Sequence, residues 1–186
     1  MMKGLSAILS KFFKFYRQAN VSKFVNENSE FRELYQPFVN LFMELSIETE
    51  RVENDLEKFD QIDLERYGNI TELTDKIFEK LANDERFNGI PEITFLAVDY
   101  KINTRAIKKS KSAEERLPFL ERRGLVGRQM IKIYIQEMMK LAKKAQVYDK
   151  PGEEREIIVN LLNYLLDEMT KDIEYYEKAM ASSEKY

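Results

Sequence analysis

The stretch Glu92 to Ile107, EITFLAVDYKINTRAI, decides the fold class. Its Ile, Thr, Phe, Val and Tyr content suits a β-strand. Its apolar spacing does not: Ile93, Leu96, Ala97, Tyr100, Thr104 and Ile107 recur at helical intervals and share one side of a helix. No second segment offers a strand to pair with, and an unpaired strand leaves its backbone donors and acceptors unmet. The stretch therefore reads as helix, and the chain as all-α.

The flanking sequence agrees. Towards the N-terminus, Phe38, Phe42, Leu45, Thr49, Val52, Leu56 and Phe59 alternate steps of four and three, a heptad seam that Leu41 widens to a bundle stripe. That helix is expected over 38–67, with Gly68 as its left-handed stop. Asn69 and Glu72 then have capping-box spacing, opening a short helix through Leu73, Ile77 and Leu81 to about Asn83. Asn88-Gly89-Ile90-Pro91 reads as a turn. Upstream, a helix is expected from Leu5 to about Ala19, running on towards Val25, and a short one from Glu30 to Gln36. Pro37 suits the first turn of the helix after it.

Towards the C-terminus, Ser112 and Glu115 form another capping box, for a helix that Pro118 should kink or restart and Arg123-Gly124 should end. Gly127, Met130, Ile131, Tyr134, Met138, Leu141 and Ala145 mark a long helix over 125–147. Asp149 to Gly152 is a tight connection. Ile158, Leu162, Leu165, Met169, Ile173, Tyr176 and Met180 form the seam of a last helix over 153–182. The expected architecture is an all-α, antiparallel helical bundle of six or seven helices in a single domain. Three long amphipathic helices dominate it, because short connections favour antiparallel neighbours. Residues 1–25 could form a semi-independent basic amphipathic helix.

Composition narrows the chemistry. The 186 residues include no His, Cys or Trp. That excludes a Ser-His-Asp triad, a thiol nucleophile, disulfides and zinc sites built on Cys or His. Carboxylates are the acid–base or metal chemistry that remains. Glu30 and Glu33, then Glu57 and Asp60, have the paired spacing of a Mg²⁺ site, which all-α nucleotide pyrophosphohydrolases use. An acidic chain meets such spacing easily by chance, and no Gly-rich phosphate loop accompanies it. The expectation is no catalytic residue, no metal and no cofactor.

Charge is segregated. The total of −3 hides five basics and no acid in residues 1–26, and 19 acids against 7 basics in 27–99. Residues 100–144 carry 13 basics and 4 acids, a local +9, and 145–186 carry 10 acids and 5 basics. The candidate nucleic-acid-binding residues are Lys101, Arg105, Lys108, Lys109, Lys111, Arg116, Arg122, Arg123, Arg128 and Lys132. Cations at helical spacing can follow a phosphate backbone without sequence readout, with Tyr100 or Tyr134 as stacking faces. The competing reading is that these cations answer the acidic segments within the protein. The Phe- and Lys-rich first helix could also lie on a membrane surface or dock on protein. Five methionines, at 130, 138, 139, 169 and 180, have the spacing of core filler.

The function expected is that of a non-catalytic cytoplasmic subunit or adaptor of a larger assembly. Its partners are other protein subunits or further copies of itself, with a nucleic-acid backbone along residues 100–144. The alternative is a pure protein-interaction bundle, and less favoured ones are a peripheral membrane protein or the Mg²⁺-dependent hydrolase.

Overall fold

In the computed structural model, residues 92–107 lie within a helix, Pro91–Lys109 (α6). Pro91 opens it, where a missing N–H leaves no intrahelical bond unmade. The structure describes residues 4–16, 19–59, 64–145 and 153–183. Among them the regular secondary structure is all helical, with no strand. Leu5–Tyr16 (α1), Ala19–Glu27 (α2) and Ser29–Tyr35 (α3) precede a 3-10 turn at Gln36–Phe38 that contains Pro37. Val39–Phe59 (α4) and Leu64–Asn83 (α5) follow, then a second 3-10 turn at Glu85–Phe87. After α6 come Ala113–Lys144 (α7) and Glu153–Ser183 (α8). The fold is an all-α helical bundle.

Several boundaries differ from the sequence reading: the helix expected from Leu5 towards Val25 is described as α1 and α2, and residues 64–67 open α5 instead of ending a helix over 38–67. Gly68 and Asn69 lie inside α5, so there is neither a glycine stop nor a capping box at that point. Gly68 is exposed and has open space around it. Its cost of about 1 kcal/mol relative to Ala is small beside burial of Ile70, Leu73 and Ile77 on the same helix. Likewise α7 is one helix through Pro118 and Gly124, not two. Pro118 stands in its second turn, and the carbonyl it leaves without a donor belongs to exposed Glu114, where water can reach it.

The chain divides into two compact units, one of residues 1–77 with 135–168 and one of 78–134 with 169–186. The first is centred on α1 packed against α4. Phe12 meets Tyr35 edge-on at 4.9 Å and Phe42 at 5.5 Å, and Phe38 stacks on Phe42 at 5.6 Å. Phe38, Phe42, Leu45, Thr49 and Val52 of the α4 seam are buried; the side chains of Leu56 and Phe59 lie outside the described residues. Thr49, the polar member, donates to the Leu45 carbonyl at 2.7 Å and so enters the core satisfied. Ile135, Met138, Ala142, Ile158, Leu162 and Leu165 complete this core.

The second unit buries Phe78, Leu81, Phe87, Ile93, Ala97, Tyr100, Val126, Met130, Tyr134, Met169 and Ile173. Gly127 permits a close helix approach: a methyl there would overlap the Phe78 ring, so α7 and the end of α5 can pack this tightly only around a glycine. Met130, Met138 and Met169 are fully buried as core filler. Among the described residues no helix is long and apolar enough to cross a membrane.

Candidate functional site

The basic segment folds as a hairpin of α6 and the first part of α7, joined through residues 110–112. Ser110 closes α6 by donating from its N–H and its hydroxyl to the Ala106 carbonyl, at 3.0 and 2.9 Å. Ser112 caps α7 by accepting from the Glu115 N–H at 3.1 Å. Glu115 reaches back to the Lys111 N–H at 2.7 Å, one residue before the partner a regular capping box uses. Further along, Arg122 donates twice to Asp99 Oδ2, at 3.1 and 2.7 Å. Asn103 holds the other Asp99 oxygen at 2.8 Å, so the carboxylate is gripped from both helices.

The ten predicted cations separate into two groups. Arg122 is bound to Asp99, and Arg116 donates to the Ser110 carbonyl at 3.3 and 3.4 Å. Arg128 is part-buried, pairs with Asp172 at 3.0 Å and lies over the Tyr176 ring at 4.0 Å. Arg123 is half-buried, 5.8 Å from the centre of the Tyr100 ring, and Lys132 is half-buried. Lys111 lies exposed in the connection. Lys101, Arg105, Lys108 and Lys109 are exposed on α6 and make no ion pair with any described residue. Lys101, Arg105 and Lys108 are spaced by four and three, so they form one row.

Around Arg128 the electrostatics are those of a structural pin. Burial pushes the Asp172 carboxyl above the usual carboxylate range, and the Arg128 guanidinium offsets this only in part. Burial likewise raises Tyr176. Tyr100 and Tyr134, expected as stacking faces, are instead core residues, 2% and 0% exposed and closed to any base. They have the aromatic bulk a helical interior requires, and Tyr134 meets Phe87 edge-on there at 5.9 Å.

The sequence reading missed the apolar side chains beside the cations. Phe95, Val98 and Ile102 are 78%, 54% and 59% exposed. They run along α6 at steps of three and four, a second apolar stripe opposite the buried one of Ile93, Ala97 and Tyr100. That second periodicity was the available signal. Leu117, Phe119 and Leu120 on α7 are also exposed. Leu120 lies seven residues before Gly127, so the core-facing stripe of α7 continues into uncovered surface. Six exposed large apolar residues on one hairpin form a concentration that isolated surface Leu or Phe residues do not.

The other candidates hold less. Leu5, Ile8, Leu9, Phe12 and Phe13 of α1 are buried in the protein's own core, while the side chains of Phe15 and Tyr16 lie outside the described residues. Glu30 and Glu33 are exposed on α3, whereas the Glu57 side chain and Asp60 lie outside the described residues. Among the described residues no group of three acidic side chains could hold a metal ion. A groove of about 380 Å³ between α4 and α5 carries Arg51 paired with Glu48 at 2.6 Å and Lys76 with Glu72 at 2.7 Å, so its charges answer one another. Comparison with known proteins gives no match, whether to a family model, a curated protein or a solved structure.

Proposed function

We propose that this chain is a non-catalytic helical adaptor that docks another protein on the outer face of the α6–α7 hairpin. The observation that carries the reading is the exposed row Phe95, Val98 and Ile102. Each such side chain, if covered, contributes about 1.5–3 kcal/mol, and a contiguous apolar face of this kind marks an interaction surface. Cations at the edge of the row, with no partner among the described residues, supply the polar rim of an interface.

The test is the native size of the tagged chain in extracts of its own cells. The wild type is expected to elute well above its 22.1 kDa mass, before and after nuclease. Phe95→Ser with Ile102→Ser should shift it towards the monomer without changing its melting temperature. A wild type that elutes as a monomer sinks the reading.

One observation favours a second reading. Lys101, Arg105 and Lys108 form an exposed cationic row with no described partner, as contact with a phosphate backbone requires. On that reading nuclease collapses the large species, and the apolar substitutions leave it intact.

A further inference from the structure

We infer that the occupant of the α6 face is an acidic amphipathic helix of another protein, an inference that rests on the protein-docking reading above. The shape comes first. Phe95 to Ile102 spans seven residues, about 10 Å of helix, the reach of i, i+3 or i+4, and i+7 anchors on a partner helix. A straight apolar stripe on a helix is covered most closely by another helix packed along it.

The charge pattern comes second. Lys101 and Arg105 stand three residues after Val98 and Ile102, so the cationic row lies along one flank of the stripe. Lys109 stands two turns beyond Ile102 and closes its far end. The opposite flank of α6 carries no cation, and exposed Glu92 stands there three residues before Phe95. There Asp99 is paired with Arg122. A helix lying on Phe95, Val98 and Ile102 would therefore meet uncompensated positive charge on one side only. Carboxylates along that side of the occupant complement it, and a basic occupant is repelled.

The same one-sidedness disfavours the other anionic occupants. A membrane surface is met by cations on both flanks of an apolar face. A nucleic-acid backbone would use the cations but leave Val98 and Ile102, which have no π-face for a base, against a polyanion.

The experiment uses the whole chain and a synthetic 18-residue helical peptide with Leu at three- and four-residue steps and Glu along one flank, read by fluorescence anisotropy. Binding is expected at low salt. Ile102→Ser should weaken it about tenfold or more, as loss of a central anchor does. Reversal of Lys101, Arg105 and Lys108 to Glu should abolish it, and a peptide with Lys in place of its Glu residues should bind that triple variant. All these positions are exposed, so the variants keep native helicity and melting, which circular dichroism checks. The charge-swapped pair gives a gain of binding that no folding defect can imitate.

The inference is overturned if the acidic peptide does not bind, or if binding ignores Ile102→Ser. It is equally overturned if an oligothymidylate, phosphatidylserine vesicles or a second copy of the chain occupies the face and displaces the peptide. A size shift caused by Phe95→Ser and Ile102→Ser, together with failure of the peptide to bind, would leave the docking reading standing and remove only the acidic helix.

Discussion

Two glycines in helices show how one residue type serves opposite ends. Gly68 is in α5 with nothing near the position a side chain would take. Gly68→Ala should therefore stabilise the protein by about 0.5–1 kcal/mol, because Ala loses less backbone freedom on folding. Gly127 lies under the Phe78 ring. Gly127→Ala gains the same helix propensity but forces that ring aside, and overpacking costs about 1–3 kcal/mol. Urea unfolding of the two variants should give midpoints shifted in opposite directions. Gly68 could not be read correctly in sequence. A glycine followed by an Asn-x-x-Glu spacing is a sound local stop signal, and burial of Ile70 and Leu73 in the folded chain overrode it.

At the scale of elements, the pin between Arg128 of α7 and Asp172 of α8 joins residues 44 apart in sequence. The side chains are only 19% and 10% exposed. Arg128→Met should cost about 3 kcal/mol or more, because it leaves Asp172 buried without its partner. Replacing both, with Arg128→Met and Asp172→Leu, should recover most of that loss, since neither charge is then desolvated. The pair also predicts a pH response. A carboxyl whose folded pKa is raised holds its proton longer in the folded than in the unfolded chain. Its stabilising contribution is therefore complete at low pH and is lost as pH rises from about 4 through the raised value. Asp172→Asn cannot release a proton, so its melting temperature should decline less over that interval than the wild type's. Thermal melts of both proteins across the acid range check this. Parallel curves would show that Asp172 titrates in its ordinary range.

For the whole molecule, stability and docking should separate cleanly. Leu162 and Leu165 are fully buried, and Leu162→Asp or Leu165→Asp should abolish cooperative melting by circular dichroism. Phe95→Ser and Ile102→Ser remove side chains that are mostly in water and should stay within about 0.5 kcal/mol of the wild type.

The all-α fold was legible because helical periodicity is a local property. Ile93, Ala97 and Tyr100 fall on one side of α6 through covalent geometry alone, whatever packs against them. The absence of His and Cys was equally plain and removed most catalytic chemistry. The candidate site was legible only in part. The positive segment could be counted, but nothing local distinguishes Arg122, neutralised by an aspartate 23 residues away, from Lys101, which has no described partner. Nor could the sequence separate the stripe of α6 that is covered from the one left bare, since both repeat at helical spacing. Pairing and burial depend on what distant segments bring alongside a residue, and only the tertiary structure decided that.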